Sequence, residues 1–311
     1  MQKAVFIDHK EGELNEQVFQ RIAKNFQQTA FVMSDDPKKL EIIRDADALF
    51  VKIFTKIDQQ VIDAAPNLKF INVCSTAYDA IDAKYAREKG IAVCNLGGYS
   101  TEAVAEFFFA SLLEHGRELE RAKNQARNKD YDFKSFMGLE LKNKTLGVIG
   151  AGAIGGRIAQ IGLGFGMKVL YFSRNNKQEI EKMGAQKVDL DQVLSQSDFI
   201  SLNLSLNQET KQIISAAKIG LIKPGAVFIN LAPPNLIDEK AMMAAAKEGK
   251  LTFIFDHSDD SQYSAEFLAT PNCIVHPAIA FRTDQADINR WEAFSSNIEK
   301  FIAGQPQNLV N

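Results

Sequence analysis

Thr145-Leu146-Gly147-Val148-Ile149 reads as a short buried strand, and it runs directly into Gly150-Ala151-Gly152-Ala153-Ile154-Gly155, which opens a stretch of helical character. A G-x-G-x-x-G at a strand-to-helix junction narrows the possible folds sharply. The first glycine permits a tight turn, the second lets backbone approach a pyrophosphate, and the third lets helix and strand pack closely with the helix N-terminus towards the phosphates. A second apolar run at 167–172 falls where the next parallel strand of a βαβ unit belongs. The spacing predicts a dinucleotide pocket that includes Gly150, Gly152, Ala153, Ile154 and Gly155. A glycine turn used only for packing is the alternative reading.

Apolar runs at 4–8, 30–33, 48–53, 70–74 and 91–94 alternate with helical stretches such as 14–26 and 37–44. This is the pattern of an α/β layer on a parallel sheet. Ser100-Thr101-Glu102 is expected to cap a long helix over 103–126 whose Phe107, Phe108, Phe109, Leu112 and Leu113 form an apolar face. The alternation resumes after Asn143 with strands at 199–202, 226–229, 251–255 and 273–275, and an amphipathic segment at 286–302 is expected to return to the first unit. The fold class is therefore α/β, a Rossmann-type cofactor domain (99–285) inserted into a flavodoxin-like domain (1–98 plus 286–311). At 311 residues and 46% hydrophobic the chain favours two domains over one, and a formal charge of -3 argues against a nucleic-acid or anionic-membrane surface. Cys74, Cys94 and Cys273 are too scattered for a disulfide framework or zinc site and read as buried thiols. The expectation is a soluble cytoplasmic protein with a small-molecule partner.

Several further segments stand in a telling order: Ala64-Ala65-Pro66-Asn67-Leu68-Lys69, Tyr78-Asp79-Ala80-Ile81-Asp82, Tyr99-Ser100-Thr101-Glu102-Ala103-Val104-Ala105-Glu106, the glycine fingerprint, Ile229-Asn230-Leu231-Ala232, Asp256 and Pro277-Ala278-Ile279-Ala280-Phe281. Over nearly its whole length the chain resembles the D-isomer-specific 2-hydroxyacid dehydrogenase family. The resemblance implies a cofactor domain within a smaller substrate domain, an active-site cleft between them, and a homodimer built around the cofactor domain. It places Thr101 and Ala232 with the cofactor and Asp256 at the nicotinamide carboxamide. Where an acidic residue would accept the hydrogen bonds of an adenosine ribose, this chain has Ser173-Arg174-Asn175. A hydroxyl and a guanidinium can both bond a 2′-phosphate, so NADP(H) is favoured over NAD(H). A solvated Arg174 and an indifferent pocket is the other reading.

The chemical residues depart from the family pattern. The arginine that should bind a 2-oxo acid carboxylate after Asn230-Leu231-Ala232 is replaced by Pro233-Pro234, and the histidine that should follow Pro277 is Ala278. No Glu-Pro pair follows Asp256, with Asp259 or Asp260 nearest the place. His276 lies two residues before Ala278, on the same side if the segment is extended, and reads either as a relocated acid or as a structural histidine. His257 has less support, and His9 and His115 read as surface or packing residues. Ser75-Thr76-Ala77 replaces the family's Gly-x-Gly and could add hydroxyl donors towards the substrate. Lys52 and Arg282 are candidate cations for an anionic or carbonyl substrate, with Lys52 equally readable as a solvated lysine. The resulting expectation is an NAD(P)-dependent oxidoreductase, NADP(H)-preferring, with a remodelled site and a non-standard substrate. The alternative is a catalytically inactive dinucleotide-binding protein that reports nucleotide occupancy to a partner.

Overall fold

Short strands buried along most of their length alternate with half-buried helices, and this pattern produces two parallel sheets. The computed structural model describes residues 1–256 and 265–311. They form two units, Met1–Tyr99 with Asp284–Asn311, and Ser100–Thr283.

In the first unit, β1 (Lys3–Ile7), β2 (Gln28–Val32), β3 (Ala48–Val51), β4 (Phe70–Val73) and β5 (Ala92–Cys94) make a sheet of order β2-β1-β3-β4-β5. Both β3 and β4 are buried at every position, which is why they read as continuous apolar runs rather than alternating ones. The strand order reverses between β1 and β3, and parallel sheets offer a ligand crevice at such a point, outside the carboxyl ends. The Asp284–Ile302 helix docks on β4 through a polar contact in an apolar setting. Asn72 of β4 is fully buried; its Nδ2 donates to the Phe294 carbonyl (2.8 Å), and Asn297 Nδ2 donates to Asn72 Oδ1 (3.0 Å). An unpaired amide at this depth would cost about 1–3 kcal/mol, so this pairing fixes where the helix sits along the sheet.

In the second unit, β6 (Thr145–Ile149), β7 (Lys168–Phe172), β8 (Gln186–Lys187), β9 (Phe199–Leu202), β10 (Val227–Asn230), β11 (Thr252–Asp256) and β12 (Cys273–His276) form a sheet of order β12-β11-β10-β9-β6-β7-β8. This is a Rossmann-type arrangement whose switch point lies between β6 and β9. The Ala153–Gly164 helix follows β6, and the Thr101–Gly116 helix packs against it, burying Phe108, Phe109 and Leu112.

Three local expectations are corrected. The long helix over 103–126 is two helices, Thr101–Gly116 and Leu119–Arg127, with Glu118 between them in the left-handed region at φ 49°. Gly116, the last residue of the first of these helices, leaves room for Leu139, whose side chain a Cβ there would meet at 2.8 Å. Ser100 is buried and makes no side-chain capping bond. Cys94 and Cys273 are buried free thiols whereas Cys74 is half-buried, and burial pushes the Cys74 thiol up to about 11. Among the described residues no helix is long and apolar enough to cross a membrane.

Candidate cofactor and acceptor sites

The turn after β6 uses its glycines for three different physical reasons. Gly150 takes φ 91°, and a Cβ on it would lie 2.8 Å from the Asn203 carbonyl oxygen at the end of β9. A side chain is excluded both by conformation and by space. A Cβ on Gly155 would lie 2.1 Å from the Gly150 carbonyl oxygen, so the helix is drawn against its own entry turn. A Cβ on Gly152 would meet nothing within 4 Å, and Gly152 gives the following helix no side-chain cap. Backbone N–H groups at the start of the Ala153–Gly164 helix are thus left for an anion.

A cavity of 690 Å³ opens over this helix start, lined in part by Thr101, Gly152, Ala153, Gly156, Arg157 and Lys177. Arg157 Nε donates to Glu102 Oε2 (2.8 Å), tying the two flanking helices together at its wall. The far rim is the loop after β7. Tyr171 is fully buried, donates its hydroxyl to Glu181 Oε1 (2.5 Å) and accepts from the Lys177 backbone N–H (2.9 Å). Lys187 Nζ donates to the Arg174 carbonyl (3.1 Å) and Asn176 Oδ1 (2.9 Å). Ser173 is half-buried and Arg174 exposed, and among the described residues the Arg174 guanidinium makes no ion pair. Backbone donors at the helix start therefore face this cavity, which suits the pyrophosphate of a dinucleotide.

The residues expected to work on an acceptor are placed as follows. β10 ends at Asn230, whose side chain accepts from the Ala232 N–H (3.0 Å), and Pro233 then leads into a 3-10 turn at Pro234–Leu236. The pyrrolidine ring supplies neither charge nor a backbone N–H at this turn. Asp256, at the end of β11, accepts from the backbone N–H groups of Ile279 (2.7 Å) and Ala280 (3.2 Å) and so anchors the loop beyond Ala278. Burial raises its carboxyl above the usual range, with those two N–H groups and nearby His276 acting against the rise.

His276 pairs in register with Asp256, but the strand ends there and the chain bends at Ala278. The alternation that would have put positions 276 and 278 on one side therefore stops, which is a correction to that geometry. The imidazole packs edge-on against Phe107 (5.4 Å, 87°), and its Nδ1 is buried without a partner. Arg282 is exposed and lies over the Phe281 ring at 6.0 Å. His257, Asp259 and Asp260 lie outside the described residues.

In the first unit Lys52 Nζ is 2.5 Å from Glu13 Oε1, so it is an ion-paired residue rather than a simply solvated one. The hydroxyls of Ser75 and Thr76 are already engaged, donating to the carbonyls of Ala77 and Leu96. They are not free donors, and this corrects the role expected of them. His9, read from sequence as surface or packing, is 3% exposed, and burial together with the Lys52 charge lowers its pKa to about 4.

Residues 109–280 match the NAD binding domain of D-isomer specific 2-hydroxyacid dehydrogenase, and a glyoxylate reductase of Thermococcus litoralis is 35% identical over 285 residues, 88% of this chain and 86% of that one. The chain belongs to this family. Like those relatives it is an NAD(P)-dependent oxidoreductase of the class acting on CH–OH groups. Its fold is also that of solved family members: a D-lactate dehydrogenase of Aquifex aeolicus with NAD and lactic acid superposes with a TM-score of 0.84 at 28% identity, covering 97% of this chain and 96% of that one. An acyclic imino acid reductase in complex with NADPH and D-Arg superposes with a TM-score of 0.87 at 28% identity, covering 99% and 100%.

Proposed function

We propose that the protein is an NADP(H)-preferring oxidoreductase whose favoured acceptor is not a simple 2-oxo acid. One observation carries the reading, that the dinucleotide turn is complete in residue type and in space; beside it, the sequence resemblance sets Pro233 and Ala278 at the positions implied for a carboxylate-binding arginine and a proton-donating histidine. The cavity residues Gly152, Ala153 and Thr101 would hold the pyrophosphate and its neighbours, and Ser173 with Arg174 a 2′-phosphate. Bound there, the reduced dinucleotide would supply a hydride. Asp256 would hold the loop beyond Ala278 in place and present its remaining lone pairs to the nicotinamide carboxamide. NADPH in the imino acid reductase complex supports the NADP(H) preference.

Conventional 2-oxo acid reduction needs a proton donor beside the accepting oxygen, and without one the reaction slows by about 10²–10⁴-fold. Glyoxylate, pyruvate and hydroxypyruvate are accordingly expected to be poor acceptors for this protein, although glyoxylate names several of its relatives. The test is NADPH consumption followed by absorbance across 2-oxo acids, non-acid carbonyls and imines. Equal or faster consumption of NADH in place of NADPH sinks the cofactor preference. Absence of consumption with every acceptor, in protein saturated with NADPH, sinks the reductase reading in favour of a nucleotide-responsive binding protein. A homodimer is part of the same proposal, supported by Tyr131, Phe133 and Met137, which are 76%, 77% and 89% exposed on the cofactor unit. Sedimentation at monomer mass would remove it.

A further inference from the structure

The cavity over the start of the Ala153–Gly164 helix is also lined by the run 176–180, whereas Ser173 and Arg174 are not among its lining residues. All of its lining residues belong to the second unit. The charged side chains on it are those of Arg157, Lys177 and Glu179. Arg157 is already committed, its Nε donating to Glu102 Oε2 (2.8 Å) and its Nη1 to Gln160 Oε1 (3.3 Å). Among the described residues neither the Lys177 ammonium nor the Glu179 carboxylate has a partner.

Lys177 is held by its backbone and left free at its side chain. Its N–H donates to the Tyr171 hydroxyl (2.9 Å), and its carbonyl accepts from the N–H groups of Ile180 (3.1 Å) and Glu181 (3.0 Å). Tyr171 is itself fully buried in β7 and donates to Glu181 Oε1 (2.5 Å). Lys187 Nζ secures the same run by donating to the Arg174 carbonyl (3.1 Å) and Asn176 Oδ1 (2.9 Å). The chain between β7 and the Gln178–Lys182 helix is thus pinned at positions 174, 176 and 177. What remains unspent is the ammonium of half-buried Lys177, with three donors.

Opposite charges two residues apart on one cavity wall act oppositely on a nucleotide. A 2′-phosphate carries roughly −1.5 to −2 charge near neutral pH and three acceptor oxygens, which match an ammonium. A free 2′-hydroxyl is a donor, which matches a carboxylate. Arg174 is exposed, so water and salt screen its attraction, whereas a half-buried ammonium is screened less. We propose that Lys177 and Glu179 are opposing determinants of nucleotide selectivity, Lys177 drawing the 2′-phosphate of NADP(H) and Glu179 the 2′-hydroxyl of NAD(H), with Tyr171 the positioning residue that sets Lys177.

This arrangement gives a selectivity that single substitutions can push either way. An acidic residue at the end of β7 would accept from the ribose and repel a phosphate without opposition. Here the carboxylate stands at Glu179 rather than at position 173, and a cation stands beside it on the same wall. The pocket therefore discriminates by the balance of the two, and the preference for NADPH over NADH is expected to be about tenfold rather than absolute. The inference rests on the nucleotide reading of this cavity given above and adds two residues to the selectivity assigned there to Ser173 and Arg174.

The test is fluorescence titration of the full-length protein with NADPH and with NADH. Lys177→Met should weaken NADPH about tenfold and leave NADH within about twofold. Glu179→Gln should act the other way, tightening NADPH about threefold and weakening NADH about threefold. Tyr171→Phe should weaken NADPH about threefold in the wild-type background and by less than about 1.5-fold in Lys177→Met, the non-additivity of a residue that acts through Lys177. Equal losses in both backgrounds overturn the positioning role. A wild-type ratio of NADPH to NADH affinity in either charge variant overturns the inference. Wild-type protein that binds NADH more tightly than NADPH removes the cofactor preference proposed above, and the inference stands if the two variants still move the ratio in opposite directions. A wild-type preference for NADPH that Arg174→Glu abolishes and Lys177→Met leaves intact does the reverse.

Discussion

At the end of β6 the chain offers almost bare backbone, Gly150 turned by its positive φ and Gly152 with empty space where a side chain would be. At the ends of β1, β3 and β4 it offers side chains instead: His9, Lys52 with its partner Glu13, and Cys74, joined by Arg290 from a helix far along the chain. Both edges obey the same rule, that parallel strands present a ligand crevice at their carboxyl ends. The first edge can be specified by a short local sequence because its function is to leave atoms out. The second has to assemble charge from distant positions, and those positions can change while the fold stays the same.

The difference can be broken most forcefully at Gly155. Gly155→Val places its Cβ against the Gly150 carbonyl oxygen, and a loss on the order of 4 kcal/mol in unfolding free energy is expected by denaturant titration. Wild-type stability would mean that the turn is not close-packed. The next effect belongs to the charged edge. His9 has a folded-state pKa of about 4 against 6.5, so between those values the unfolded chain binds more protons than the folded one. Stability is full above about pH 6.5 and is lost as pH falls towards 4, by up to about 3 kcal/mol from this group. His9→Leu should flatten that part of the profile, and an unchanged slope would show that other groups cause it.

Gly152→Val sharpens the contrast, since its side chain enters open space. Its melting temperature should match the wild type while nucleotide affinity falls about 100-fold, equivalent to about 2.7 kcal/mol; equal affinity would remove Gly152 from the pyrophosphate site. The smallest expected effect is at the rim. Arg174→Glu should weaken NADPH about tenfold and leave NADH within about twofold, measured by fluorescence titration, and a parallel loss for both would assign Arg174 a role unrelated to the 2′-phosphate.

How far each edge could be read from sequence follows from the same contrast. Strands at 70–74 and 199–202 were plain because burial on both faces leaves unbroken apolar runs, and the glycine turn was plain because all its constraints lie within a few residues. β8 was not, being two exposed residues with no apolar signal. Lys52 could be suspected from its place after a strand, but its pairing with Glu13 could not. His9 looked ordinary, because nothing nearby in sequence announces that Asp8 will take a left-handed turn or that Phe294 will lie against the imidazole. The break at Glu118 was not legible either, since a non-glycine residue carries the left-handed turn.

The Asp284–Ile302 helix also sets an order of assembly during synthesis. The strands of the first sheet leave the ribosome before any of the second, yet among the described residues the Asn72 side chain takes its partners from Phe294 and Asn297, and the Val93 carbonyl meets the Val310 N–H (2.9 Å) from the far end of the chain. The unit begun first is therefore completed last, and until then the nascent chain carries an unfinished sheet whose β4 keeps a polar notch open for a helix still to be made.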